Sequence, residues 1–114
     1  MSIKLLAAAR RWKIPRDVAL IALARDTCCI YCQKAFDYAD RRSKPSWEHI
    51  VNDATLAEPW NIALCCVGCN ASKGARGLAD WLETAYCAER LIIAESIAQV
   101  ARAALSCTLR AKSG

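Results

Sequence analysis

The chain has few glycines, prolines and aromatic residues: four Gly, three Pro, and 7% Phe, Trp and Tyr combined. This scarcity of turn-forming residues argues against an all-β sandwich and favours helices. No apolar run approaches the length of a membrane span. The N-terminal stretch MSIKLLAAARR has an apolar segment of only five residues and lacks a cleavage-like site. We therefore expect a cytoplasmic protein that does not enter a membrane.

The length of 114 residues predicts a single domain spanning 1–114. Hydrophobic residues make up 55% of the chain, which is ample for a core. The 16 basic and 11 acidic residues give a net charge of +5, which permits a polyanionic partner.

The hydrophobic pattern divides the chain into three parts, and it predicts an α+β, mainly helical fold. Residues 1–26 predict two N-terminal helices, one over residues 3–12 and one from Pro15 to about Arg25, because proline suits the first turn of a helix. Residues 28–74 carry most of the polar chemistry. Residues 78–110 contain no Gly or Pro and predict C-terminal helices, either one long helix or two joined near residues 87–90.

The middle part contains two short runs that resemble strands, at residues 46–51 and 60–64. A helix is expected to begin near Asn70, a residue type that commonly caps helix N-termini.

Eight cysteines in a chain of this kind indicate metal rather than disulfides, because four of them form two C-x-x-C pairs. Four thiolates complete the tetrahedral coordination of Zn²⁺ and leave no open position, so such an ion is structural. The long segment between the pairs is typical of a treble-clef arrangement with a ββ unit between the knuckles. The predicted ligands are Cys29, Cys32, Cys66 and Cys69. Cys28 and Cys65 adjoin these ligands but lack the spacing, and Cys87 and Cys107 lie on apolar helical faces.

The segment between and after the cysteine pairs holds an ordered set of polar residues. The single histidine, His49, follows Glu48 directly; Asn61 begins an Asn-x-x-Leu-Cys run; and Asn70 follows Cys69. A neutral imidazole can take a proton from water, and carboxylate and amide oxygens are ligands that suit Mg²⁺. Together these groups have the chemistry needed to hydrolyse a phosphodiester.

This ordered set resembles the HNH endonucleases over about residues 28–74. The resemblance implies a ββα-metal core, with His49 as the general base and Asn61 as the catalytic-site asparagine that braces the loop between the strands. It also implies that Glu48 and Asn70 bind a catalytic divalent ion, Mg²⁺ or Mn²⁺. Asn70 stands where the family usually has a last histidine, as in its His-Asn-Asn variants, and Glu48 replaces the more frequent aspartate.

Two alternatives concern the geometry and the activity. Neighbouring residues on a strand point to opposite faces, so Glu48 and His49 can share one site only if the strand ends or bulges there, or if metal and water lie on different sides of the phosphate. A catalytically inactive, zinc-stapled adaptor for nucleic acid or protein is the competing function. In the nuclease interpretation, Glu48→Ala is expected to fold normally and to lose activity.

Basic residues on both sides of this set predict contacts to the phosphate backbone of DNA, with double-stranded DNA as the expected partner. These residues are Arg41, Arg42, Lys44, Lys73 and Arg76. The apolar pattern of the C-terminal helix also raises the prediction of a homodimer formed through it.

Overall fold

The computed structural model describes the backbone of residues 2–113 and the side chains of residues 3–108. Over this part, the protein is an α+β structure in which short helices surround one two-stranded antiparallel sheet. No helix in the described range is long and apolar enough to cross a bilayer. The elements in chain order are α1 (Ser2–Arg11), α2 (Arg16–Arg25), β1 (Pro45–His49), β2 (Ile62–Cys66), α3 (Val67–Lys73), α4 (Leu78–Leu82), α5 (Ala85–Arg90) and α6 (Gln99–Ser113).

The sheet leads directly into α3. β1 and β2 pair so that Pro45 lies opposite Cys66 and His49 opposite Ile62. Helix α3 begins at Val67, three residues before the predicted start, because Cys66 is its N-cap and the Cys66 sulfur accepts a hydrogen bond from the Cys69 amide. A thiol therefore takes the capping position that the sequence pattern assigned to Asn70.

Helices α1 and α2 cover one face of the sheet and begin and end within about one residue of their predicted bounds. Their apolar residues pack with Trp47, Ile62 and Leu64 in one core cluster. Two charged side chains at the end of α2 hydrogen-bond to β2: Arg25 donates to the Ile62 carbonyl, and Asp26 accepts from the Leu64 amide. These hydrogen bonds fix the position of β2.

The C-terminal part differs from both predicted forms, since three helices replace one or two. No Gly or Pro causes the breaks. Helix α5 ends at Arg90, its C-cap Leu91 adopts a left-handed conformation (φ 56°), and the Ile92 amide donates to the Cys87 carbonyl. The Ala98 amide then donates to the Ile30 carbonyl instead of continuing a helix, so a tertiary contact sets the start of the next element.

The second core cluster joins this C-terminal part to the cysteine-rich segment. Trp81 is fully buried and packs edge-on against Tyr31, with 4.9 Å between ring centroids. Ala101, Ala104 and Leu105 of α6 are buried in the same cluster. Because the chain's own core covers this face of α6, a homodimer through the helix would have to use its other side.

Candidate metal centre and histidine cleft

Four thiols meet where the segment after α2 approaches the junction of β2 and α3. The sulfurs of Cys29, Cys32, Cys66 and Cys69, hereafter the cysteine cluster, all lie within 4.8 Å of one another. Cys32 Sγ and Cys66 Sγ are 3.9 Å apart. Zinc–sulfur bonds of about 2.3 Å place the corners of a ZnS₄ tetrahedron about 3.8 Å apart. The predicted grouping is confirmed: these thiols can hold a metal ion such as zinc.

Backbone amides stabilise negative charge on these sulfurs. The amides of Tyr31 and Cys32 donate to Cys29 Sγ at 3.4 and 3.5 Å, and the Cys69 amide donates to Cys66 Sγ at 3.4 Å. Each C-x-x-C turn therefore directs N–H groups toward its first thiol. The Tyr86 hydroxyl adds a contact of 3.3 Å to Cys69 Sγ.

Hydrogen bonds among the thiols shift their protonation. Hydrogen bonding with Cys29 lowers the pKa of Cys66 to about 6 and also lowers the pKa of Cys32. Hydrogen bonding with Cys32 raises the pKa of Cys29. The lowered pKa values of Cys32 and Cys66 favour their anionic forms, and anionic sulfur is the form that binds a metal.

Neighbouring cysteines do not join the cluster. Cys65 is fully buried on β2, where burial raises the pKa of its thiol well above the ordinary range. Cys28 is half-buried, and its backbone pairs with that of Ala35 in an isolated antiparallel β-bridge. Among the described residues, no other group of three or more His, Cys, Asp or Glu side chains is arranged to hold a metal.

A separate cleft of about 230 Å³ lies at the end of β1 and is hereafter called the His49 cleft. His49 is the last residue of its strand, so the strict alternation of side chains ends there. Glu48 and His49 consequently border the same cleft, and Asn70 of α3 lies on its wall. The lining residues are Trp12, Trp47, Glu48, His49, Asn52, Asn70 and Gly74.

The His49 imidazole has no hydrogen-bond partner among the described residues. Its Nε2 is buried and has no hydrogen-bond partner, which is true of no other ring nitrogen in residues 3–108. Nδ1 is therefore the nitrogen that water in the cleft can reach. An imidazole left without internal partners is available to exchange a proton with a bound molecule.

Glu48 is anchored through one carboxylate oxygen. Its Oε2 accepts a hydrogen bond of 2.6 Å from the Tyr31 hydroxyl and lies 3.2 Å from Lys73 Nζ. No described residue hydrogen-bonds Oε1, and Oε1 is not among the enclosed, unpartnered atoms. With Oε2 held from inside, Glu48 can turn Oε1 toward the cleft. The residue is only 5% exposed, so the expectation that Glu48→Ala folds normally does not fit its position.

Asn70 is oriented by its amide nitrogen. Nδ2 donates to Ser46 Oγ at 2.9 Å and to the Trp47 carbonyl at 3.0 Å. Ser46 Oγ gives its own proton to the Cys65 carbonyl, so both partners of Nδ2 act as acceptors and the amide cannot be reversed. Asn70 Oδ1 is left as a free acceptor at the cleft.

Asn61 braces the loop between the two strands. It is fully buried. Its Oδ1 accepts from the Val51 amide at 2.6 Å, and its Nδ2 donates to the carbonyls of Val51 and Leu56 at 3.1 and 3.0 Å. The side chain thereby ties the start of the loop to its end, just beyond His49. Asn61 contacts only the backbone of this loop through its side-chain hydrogen bonds, and it does not line the His49 cleft.

The basic residues predicted to contact DNA occupy different surroundings. Arg41, Arg42, Lys44 and Arg76 are exposed. Arg42 lines a cavity beside the cysteine cluster, not the His49 cleft. Lys73 is 1% exposed and paired with Glu48, so the predicted phosphate contact by Lys73 does not fit its buried position.

Two further residues at the site carry no assignment in the sequence interpretation. Tyr31 lies inside the first C-x-x-C pair and holds Glu48. Trp12 borders the His49 cleft although α1 lies far from it in sequence. The sequence could have identified Trp12, because it lies within the basic run Arg10-Arg11-Trp12-Lys13, and an aromatic residue among basic ones is typical of nucleic-acid-binding segments.

No family model, curated protein or solved structure matches this chain.

Proposed function

We propose that the protein is a metal-dependent endonuclease of the HNH type that hydrolyses DNA phosphodiester bonds in the His49 cleft. The supporting observation is that His49, Glu48 and Asn70 border one cleft at the end of β1. Each offers a different group: an imidazole nitrogen, a carboxylate oxygen and an amide oxygen. The order β1, β2, α3 supports the proposal, because it is the element order that the resemblance to the HNH endonucleases implies.

Zinc in the cysteine cluster has a structural role in this proposal. Four sulfur ligands leave no position for water or substrate. The cluster instead ties the segment after α2 to the start of α3, which carries Cys69 and Asn70 side by side. The fold of the cysteine cluster thus positions one wall of the cleft.

His49 acts as the general base. In its neutral form, Nδ1 accepts a proton from a water molecule as that water attacks the phosphorus; the bond from phosphorus to the 3′ oxygen breaks, and the leaving 3′ oxygen takes a proton from solvent. Asn61 supports this step indirectly, because its hydrogen bonds fix the loop that directly follows His49. Asn61 is in this sense a positioning residue.

Glu48 Oε1 and Asn70 Oδ1 are the groups that would hold a divalent cation. Both are hard oxygen ligands, and Mg²⁺ needs few protein ligands because it retains several waters. When bound, the cation neutralises charge on the phosphoryl and leaving oxygens. Lys73 and Tyr31 keep the Glu48 carboxylate in place by holding Oε2.

Nicking of a supercoiled plasmid tests this proposal. Wild-type protein with Mg²⁺ or Mn²⁺ is expected to produce open circles, and His49→Ala is expected to lose about 10²- to 10⁴-fold in rate, the usual contribution of a general base. Free imidazole should restore part of that loss. Asn52→Ala is the matched control, since Asn52 lines the same cleft but has no assigned role.

The inactive adaptor is the outcome if wild-type protein leaves the plasmid intact with every metal tested. Equal rates for wild type and His49→Ala would also contradict the proposal, because the cleavage would then come from another site or a contaminant. Zinc content and melting temperature of each variant show whether it is folded.

A further inference from the structure

Trp12 presents an exposed aromatic side chain at the edge of the His49 cleft. Its side chain is 63% exposed, in contrast to Trp47, which lines the same cleft but is 9% exposed. A tryptophan at the mouth of a cleft offers a large aromatic face for contact with a bound molecule. The position beside the imidazole makes this group relevant to whatever enters the cleft.

The backbone holds Trp12 firmly in this position. Trp12 directly follows the last residue of α1, Arg11. Two hydrogen bonds close the turn around it: the Lys13 amide donates to the Arg10 carbonyl at 3.1 Å, and the Ile14 amide donates to the Ala9 carbonyl at 2.9 Å. This is a Schellman motif, with Lys13 in the left-handed position (φ 58°). With the backbone fixed, only the two side-chain torsions of Trp12 remain to be restricted when it binds a partner.

Helix α1 itself is fastened to the strand that carries His49. The indole nitrogen of Trp47 donates to the Leu5 carbonyl at 2.7 Å, and Ala9 and Ile14 pack with Trp47 in one core cluster. Trp12 and His49 therefore border the same cleft from two elements that are packed against each other.

Positive charge accompanies the aromatic group. Arg11 and Lys13 flank Trp12 in sequence, both are exposed, and neither forms an ion pair with a described residue. Arg10 and Arg16 are also exposed on either side. An aromatic face with unpaired cations around it matches a base with its phosphates, because the base stacks while the cations contact the backbone.

We propose that Trp12 stacks on an unpaired DNA base next to the scissile phosphate, so the preferred substrate is single-stranded or locally unpaired DNA. This inference rests on the proposed function. The faces of bases inside an intact duplex are covered by their neighbours, and a side chain reaches them only by prying the stack apart. An unpaired base offers its face directly, and stacking accepts any base.

Binding of labelled oligonucleotides, followed by fluorescence anisotropy, tests the inference without catalysis. The zinc-bound protein is used without added Mg²⁺ or Mn²⁺, with a single strand and with the duplex of the same sequence. Wild type is expected to bind the single strand more tightly. Trp12→Ala should weaken single-strand binding about tenfold and duplex binding less than twofold, whereas Trp12→Phe should keep most of the affinity.

Trp60→Ala is the matched control, because Trp60 is also exposed (44%) but does not line the cleft. It should bind like wild type. Unchanged single-strand binding by Trp12→Ala, or an equal loss on single strand and duplex, would overturn the inference. If Trp12 behaves as expected but the plasmid is never nicked, the stacking surface stands and the nuclease proposal fails; the reverse result removes only the stacking surface.

Discussion

Replacing Lys73 with methionine is expected to destabilise the protein strongly, although Lys73 is formally a charged residue near the end of a short helix. The Lys73 and Glu48 side chains are 1% and 7% exposed, and the distance between Nζ and Oε2 is 3.2 Å. The contact is an ion pair and not a well-aligned hydrogen bond, since Nζ has no hydrogen-bond partner among the described residues. Its removal leaves the Glu48 carboxylate buried without a counter-charge.

The expected loss is about 3–5 kcal/mol, the usual cost of removing one partner of a buried pair. This is a large share of a typical folding free energy of about 5–15 kcal/mol. Adding Glu48→Gln to the Lys73→Met variant removes the stranded charge while keeping an acceptor for the Tyr31 hydroxyl. The double variant should therefore recover about 2 kcal/mol relative to the sum of the single changes.

Urea unfolding of the zinc-bound proteins measures these free energies. Arg76→Met is the matched control, because Arg76 is exposed and its guanidinium group donates only to the Ser72 carbonyl among the described residues. Its effect should stay within about 0.5 kcal/mol. A Lys73→Met variant as stable as Arg76→Met would refute the assignment of Lys73 to the interior and would return it to the predicted DNA contacts.

Three other substitutions have defined outcomes. Cys29→Ser should lower zinc content and melting temperature because it removes one of the four sulfurs, whereas Cys28→Ser, outside the cluster, should change neither; equal zinc content in both would argue against the cluster as the metal site. Leu91→Gly should raise stability by about 1 kcal/mol because a left-handed residue loses its steric strain, and Leu91→Ala, which keeps a Cβ, should show no comparable gain in thermal unfolding. Asn61→Ala should cost about 1–3 kcal/mol by leaving the Val51 amide unpaired, and unchanged unfolding would show that the loop needs no brace.

The C-x-x-C spacing was sufficient to predict which cysteines come together, because the geometry of a knuckle depends on local spacing. The same holds for helices α1 and α2, whose bounds follow from Pro15 and from local periodicity. A strand that ends at His49 was one of the predicted conditions under which Glu48 and His49 could share a cleft, and the strand does end there.

Other features depend on contacts that local patterns do not contain. Lysine is a residue type that is usually exposed to solvent. Lys73 of α3 can be buried because Glu48 of β1 lies close enough to supply a counter-charge. The start of α6 depends on the hydrogen bond from the Ala98 amide to the Ile30 carbonyl, and these two residues are distant in sequence. The start of α3 shifted because a cysteine sulfur capped the helix, a role that the sequence pattern assigned to Asn70.

Anomalous diffraction from crystals soaked in Mn²⁺ tests the central claim most directly. The account predicts a manganese peak in the His49 cleft, within coordinating distance of Asn70 Oδ1 and Glu48 Oε1, and loss of that peak in an Asn70→Ala crystal. A well-ordered cleft without manganese, in crystals that bind the ion at surface carboxylates, would contradict it.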